Sequence, residues 1–129
     1  MFSSTAFNYI DVLTKAADAS WLREEVLSNN IANVDTPDYK RQEVNFESVL
    51  ERELGMSKYE MLDFKVKNIH MNHLNASVYE DATNYAYRLD GNNVDIDTEN
   101  VELASEQIKY QGLTSSITHE MTRLKSVMN

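Results

Sequence analysis

The sequence predicts a mainly α-helical protein, in which long N- and C-terminal helices form an antiparallel, coiled-coil-like pair and a small irregular and β-containing segment lies between them. Three observations carry this expectation. Apolar residues recur at three- and four-residue steps over about thirty positions at each end of the chain. Only three glycines and one proline punctuate 129 residues, so few and long elements are expected. The first helical pattern stops at a proline, and the second opens on a strong acidic start signal.

The first helix is expected from about Ser4 to Asn33, on the apolar positions Phe7, Ile10, Leu13, Ala17, Trp21, Leu27 and Ile31. Thirty helical residues measure roughly 45 Å at ~1.5 Å each, longer than a domain of this size covers, so part of the apolar face needs a partner. Trp21 reads as a packing anchor. Leu27, Ile31 and Val34 share one face near the helix end, while Ser28, Asn29, Asn30 and Asn33 wrap the remainder. Asparagine is a poor helix former because its amide competes for backbone groups, so three amides here point to a contact outside the helix. Replacing Asn30 or Asn33 by leucine is then expected to spare the helix and remove only that contact. Pro37 disfavours the helical region for Thr36 and turns the chain extended after Asn33 or Val34.

The middle segment, 37–95, is expected to run extended through Tyr39 into a short helix on Phe46, Val49, Leu50 and Leu54, ended by Gly55. Leu62, Phe64 and Val66 alternate, as do Tyr85, Tyr87 and Leu89, which suggests two strands. Residues 68–84 read as a loop. Tyr79, Tyr85 and Tyr87 fit sheet or interface positions better than a stacking platform for a ligand.

The second helix is expected to start at Asp97 as N-cap, with Glu99 and Glu102 at the positive end of the dipole and Ile96 stapled onto Val101. Its main stripe is Leu103, Tyr110, Leu113, Ile117, Met121, Leu124 and Met128, and a second row runs through Val101, Ala104 and Ile108. Two rows imply more than one neighbouring helix. Glu106 reads as an exposed surface charge, and Arg123 and Lys125 suit the negative end of the dipole.

Several function classes are disfavoured. A net charge of -9 with no basic stripe argues against nucleic acid. Lys15, Asp18, Arg23 and Glu24 interrupt one long helix and Glu102, Glu106 and Lys109 the other, so neither is expected to span a bilayer. The absence of cysteine removes disulfides and thiolate metal sites. The first residues lack a basic leader and a continuous apolar core, so no cleaved signal peptide is expected. His70 and His73 have a two-ligand spacing without a third ligand. Asp90, Asn92, Asp95 and Asp97 fail the calcium-loop pattern, having glycine second and Val101 twelfth, and read better as a turn leading into a helix cap. Asn75-Ala-Ser77 fits a glycosylation sequon of the kind common by chance. No nucleophile motif or phosphate-binding glycine loop is present, so no enzyme activity, cofactor or metal is expected.

The run Ser28-Asn-Asn-Ile-Ala-Asn-Val-Asp-Thr-Pro37, read with Asp90-Gly-Asn-Asn-Val-Asp-Ile-Asp97, resembles the bacterial flagellar basal-body rod proteins, and among them the proximal-rod type. Residues 21–46 and 90–113 carry the resemblance. Many relatives have glycine where this chain has Asp38. The resemblance implies a structural subunit of the proximal rod that assembles through its terminal helices into the drive shaft carrying torque from motor to hook and filament. Residues 1–36 and 96–129 would form its axial, inner-tube domain. It implies export without a cleaved signal through the flagellar type III apparatus, location in the basal body, and self-association within the rod. Implied partners are other rod proteins, the MS ring with its rod-adaptor protein, and the export gate. The assembly residues expected on this basis are Leu27, Asn29, Asn30, Ile31, Asn33 and Val34 from the first helix, with Ile108, Leu113, Ile117, Met121 and Leu124 from the second. The competing reading is a small helical adaptor or export chaperone, also acidic and amphipathic.

Overall fold

The structure, a computed structural model, describes residues 2–55, 61–81 and 88–128, with side chains from residue 6 onward. Helix α1 spans Phe2–Ala32 and helix α4 spans Ile96–Met128, and the two pack along each other. They run antiparallel: Asn30, near the end of α1, reaches Glu99 in the first turn of α4, while Phe7 and Ile10 lie beside Met121 and Leu124. Between them come strand β1 (Gln42–Asn45), helix α2 (Glu47–Leu54), helix α3 (Leu62–Lys67), one 3-10 turn (Met71–His73) and strand β2 (Ser77–Glu80).

Helix α1 is the central element. One side meets α4, and Ala19 packs on Phe46, Val49, Ile69 and Leu74, a small core flanked by Val12, Ala16, Leu50 and Leu54. The short helix expected around Val49 is therefore α2, with Val49 buried and Gly55 (φ 78°) following its last residue. Gly55 donates its N–H to the Arg52 carbonyl. Below this core, Arg23 fastens the layers. Its guanidinium grips both oxygens of Glu47 at 2.8 and 2.6 Å, donates to the Val44 carbonyl at 3.1 Å, and reaches Glu106 at 3.3 Å.

Three local expectations change. Residues 62–67 form α3 and not a strand, because the burial that matters is Val66 followed by Ile69, a helical step of three, while Leu62 and Phe64 face solvent. The strand that does form, β2, falls inside the expected loop; all four of its residues are exposed, and it is held by antiparallel pairing to β1, with Val44 opposite Val78. Of the other strand expectation, Tyr85 and Tyr87 lie outside the described residues, and Leu89 sits exposed in a turn. The N-cap of α4 is Asp95, not Asp97: its carboxylate accepts from the amides of Asp97 at 3.1 Å and Thr98 at 3.4 Å. Ile96 and Val101 are both exposed and form no staple.

The turn after α1 places Asp38 in a backbone conformation that glycine adopts more readily. Tyr39 donates its N–H to the Thr36 carbonyl, closing a turn around Pro37 and Asp38, and Asp38 takes φ 60°, in the left-handed region. Aspartate tolerates that region better than most residues, at a cost glycine avoids. Gly91, at φ +80°, lies against the Asp38 carboxylate, where a Cβ would come within 2.3 Å of Oδ1. Asp38→Gly is expected to leave stability unchanged or raise it by up to about 1 kcal/mol, whereas Gly91→Ala should lower it by about 1–2 kcal/mol. Urea unfolding of the two variants beside the parent checks both signs.

Candidate assembly interface

The two sequence motifs meet. Asn92, buried, donates its amide to the carbonyls of Asn33, Val34 and Thr36 at 2.8–3.1 Å, gathering the carbonyls of the turn that follows α1, of which those of Asn33 and Thr36 also accept from the amides of Thr36 and Tyr39. Its own Oδ1 accepts from the Val94 amide at 2.8 Å, so both ends of the side chain hold backbone. Arg88 adds a bond to the Val34 carbonyl, the Asp38 amide donates to the Asp90 carbonyl at 2.8 Å, and Lys40 donates to the Gly91 carbonyl.

One layer deeper lies a buried polar cluster. Asn30 has no exposed surface; it donates to the Gln42 carbonyl at 2.8 Å and Glu99 at 3.1 Å, and accepts from the Gln42 amide and the Tyr39 hydroxyl at 2.9 Å each. Glu99, 1% exposed, binds the Arg41 Nε at 2.6 Å. The Arg41 Nη1 reaches Asp81 at 2.5 Å, and Asn93 ties the Arg41 amide to the Asp81 carbonyl. Burial opposes the Arg41 charge, but the hydrogen bonds to Glu99 and Asp81 outweigh it and raise its pKa above the ordinary value. Nη2 of Arg41 is sealed from solvent without a hydrogen bond, 3.5 Å from the Glu102 carboxylate.

The expected assembly residues therefore divide. Leu27 and Asn30 are buried within the chain, and the amide of Asn30 is fully used there. The idea that Asn30→Leu spares the fold does not hold, because four internal hydrogen bonds would go with it. Asn33 turns back onto the Asn29 carbonyl and accepts from Thr36, and Asn29 is exposed and donates to Tyr39. Ile31 and Val34 are half-buried. On α4, Leu113, Ile117 and Leu124 are half-buried, whereas Ile108 and Met121 are exposed. Met121 and Leu124 lie beside Phe7 and Ile10 at the far end of the helical pair, about twenty residues of α1, or ~30 Å of helix, from the level of Asn30, whereas Ile108 lies between, close to the Ser20–Glu106 bond. The expected residues do not make one patch.

Sequence reasoning missed Arg41 and misjudged Glu106. Glu106 is buried and accepts from Ser20 at 2.7 Å, so it is no surface charge. Arg41 stands outside any periodic segment, and its partners are 40 and 58 positions away, leaving no local signal. Trp21, expected as an anchor, is 60% exposed and tilts against Tyr110 at 5.7 Å between ring centres. Thr114, Thr118, Thr122 and Ser126 each bond the carbonyl four residues back, so this polar row satisfies itself. The rings of His70 and His73 lie 5.4 Å apart, tilted against each other, and among the described residues no group of three or more His, Cys, Asp or Glu is placed to hold a metal. Among the described residues no helix is long and apolar enough to cross a membrane.

Glu99→Ala is expected to cost about 2–3 kcal/mol by leaving the buried Arg41 Nε without its acceptor, and Asn30→Leu at least about 2 kcal/mol, with Asn33→Leu within about 1 kcal/mol of the parent. Chemical denaturation ranks the three. Burial would raise the Glu47 carboxyl, but hydrogen bonds from Arg23 and Lys109 prevail and hold it at about 2. Its folded pKa lies below the unfolded one, so its stabilisation is present above about pH 4.3 and is lost as pH falls towards 2. The stability gap between the parent and Glu47→Gln should therefore narrow between pH 5 and pH 2, measured by urea unfolding along a pH series.

Residues 10–40, which include the end of α1 and the Pro37 turn, match the model of the flagella basal body rod protein family. The chain is 34% identical over 128 residues to the flagellar basal body rod protein FlgB of Bacillus subtilis, covering 99% of this chain and 95% of that protein. It is 33% identical to FlgB of Borreliella burgdorferi, with 93% and 90% covered, and 33% identical to FlgB of Salmonella typhimurium, with 82% and 80% covered. With near-full-length similarity at this level, and with both motif segments joined around the end of α1, the chain belongs to the FlgB family of flagellar basal-body rod proteins, structural subunits of the rod in the bacterial cell envelope.

Proposed function

We propose that the helical pair 1–36 and 96–129 is the axial, inner-tube part of the subunit, which packs against neighbouring subunits to make a torque-bearing layer of the proximal rod between motor and hook. The observation that carries this reading is apolar surface left open on two long helices. Phe7, Val101, Ile108, Met121, Val127 and Met128 are all more than half exposed. At the far end of the pair, Phe7, Ile10, Met121, Leu124 and Met128 border an open groove of about 470 Å³. Helices of this length with uncovered apolar rows gain most of their stability from tertiary packing, which neighbouring subunits supply. Contacts distributed along such helices resist shear without any catalytic pocket. Other rod proteins, the MS ring with its rod-adaptor protein, and the export gate are the partners this role requires, with self-association in the rod and export without a cleaved signal.

Met121 offers the cleanest test because it is 57% exposed in the free chain, so charging it harms the fold little. Met121→Asp and Leu124→Asp are expected to abolish incorporation into basal bodies, since an unpaired carboxylate in a helix–helix seam costs several kcal/mol by desolvation, about what one incorporation contact supplies. Gln107→Ala, at an exposed polar position, should assemble normally. Basal bodies purified from cells expressing each variant at equal level are probed for the subunit. Recovery of Met121→Asp in rods at the parental level would contradict the reading.

A further inference from the structure

Helix α4 carries a second apolar row that α1 does not cover. Val101 is 70% and Ile108 71% exposed, with Ala104 exposed between them. Beside Val101 opens a groove of about 530 Å³, bounded by β1, the start of α2 and Tyr79 of β2. Its walls carry the carboxylates of Glu43, Glu47, Glu102 and Glu106, with Arg23 as the lining cation.

The groove is short of positive charge. Arg23, Arg41 and Lys109 serve six carboxylates between them, those of Glu43, Glu47, Asp81, Glu99, Glu102 and Glu106. Arg41 gives its close contacts to Asp81 and Glu99, leaving Glu43 at 3.6 Å and Glu102 at 3.5 Å. Glu102 shows the shortage: burial raises its pKa, and Glu99 and Glu43 push it further against the pull of Arg41. Tyr79 donates to Glu43 at 2.9 Å and stays 46% exposed, an aromatic edge at the rim.

We infer that this face of α4 and the adjoining groove dock a cationic amphipathic helix of a different protein, its apolar side on Val101, Ala104 and Ile108 and its Lys or Arg side chains beside Glu43 and Glu102. The apolar row supplies the three- and four-residue spacing that a helix face reads, and the excess of carboxylates over cations sets the sign of the partner. A second copy of this chain is the wrong occupant: at net -9 it adds repulsion where the groove calls for positive charge. The inference deepens the rod reading by giving one of the neighbours a chemistry, and its test stands apart from assembly in cells.

The probe is a synthetic helical peptide of leucine and lysine at amphipathic spacing, with a leucine–glutamate peptide of the same length as control. Both are titrated into the full chain at low and physiological salt, with backbone amide shifts followed by NMR. The lysine peptide is expected to bind and to shift Glu43 to Ser48, Tyr79 and Val101 to Lys109, while the glutamate peptide does not bind. The double variant Val101→Ser, Ile108→Ser should weaken binding by about tenfold or more, as loss of central apolar anchors does. Glu102→Gln should weaken it by a few-fold, on the order expected for an exposed charge, and flatten the salt dependence. Val101 and Ile108 are exposed and Glu102 is half-buried at the groove, and an unchanged far-UV circular dichroism spectrum confirms the fold of both variants. Equal binding of both peptides, shifts scattered outside this face, full affinity in the double variant, or self-association of the chain through this face would each overturn the inference. Cells that still build rods without this protein would overturn the rod reading and leave the peptide result standing.

Discussion

A carboxylate in the first turn of α4 is sealed almost completely from water, and the rest of the structure follows from how its charge is met. Glu99 is 1% exposed and must have a cation, which Arg41 supplies at 2.6 Å from a position 58 residues earlier. To bring Arg41 there the chain must leave α1 sharply, cross its end and enter β1, and this path runs through the Pro37–Asp38 turn. Asn30 fills the angle between the strand and the two helices, touching both Gln42 and Glu99. A buried ion pair of this kind is weak evidence of net stability, since desolvating both charges offsets much of their attraction. What it does impose is uniqueness: removing any partner strands a charge or an amide, so alternative arrangements of the middle segment are penalised. An apolar replacement of the whole cluster that kept one ordered fold would refute that specifying role.

The polar interior and the apolar exterior are two sides of one division of labour. At the end of α1 that meets the middle segment, side chains close on each other, through Asn92 on the helix carbonyls and through Arg23 between α1, α2 and α4. A small apolar core, from Ala19 to Leu74, stands behind this joint. At the other end the helices have mainly each other, and Phe7, Met121 and Met128 face outward. A joint that is rigid at one end and a pair of helices left open along its length suit a subunit that completes its packing in an assembly.

The long elements were legible because they depend on local periodicity. The three- and four-residue spacing from Phe7 to Ile31 and from Leu103 to Leu124 corresponds to α1 and α4, and Gly55 marked the end of α2. The two motif segments were recognisable, yet their relation was not, because the bonds from Asn92 to the carbonyls just past the end of α1 span more than fifty residues. A shorter but still non-local separation hid the pairing of β1 with β2, whose exposed residues carry no alternation. Asp95 and Asp97 are equally good caps by composition, and only the backbone path selects the first. Amides and carboxylates were read as surface because they are usually there. Asn30, Asn92, Glu99 and Glu106 are among the exceptions, each buried beside a partner that sequence distance conceals.

The central claim is that the cluster of Asn30, Arg41 and Glu99 is the fixed joint of the free subunit and that the distal helix ends await neighbours. Native-state amide hydrogen exchange of the isolated chain, resolved by residue, measures this directly. The amides of Val26 to Asn30, Arg41 to Val44 and Glu99 to Leu103 should exchange most slowly, near the limit set by global unfolding, while those of residues 6–14 and 112–128 exchange far faster through local opening. Uniform protection along both helices, or faster exchange at the joint than at the distal ends, would contradict the account.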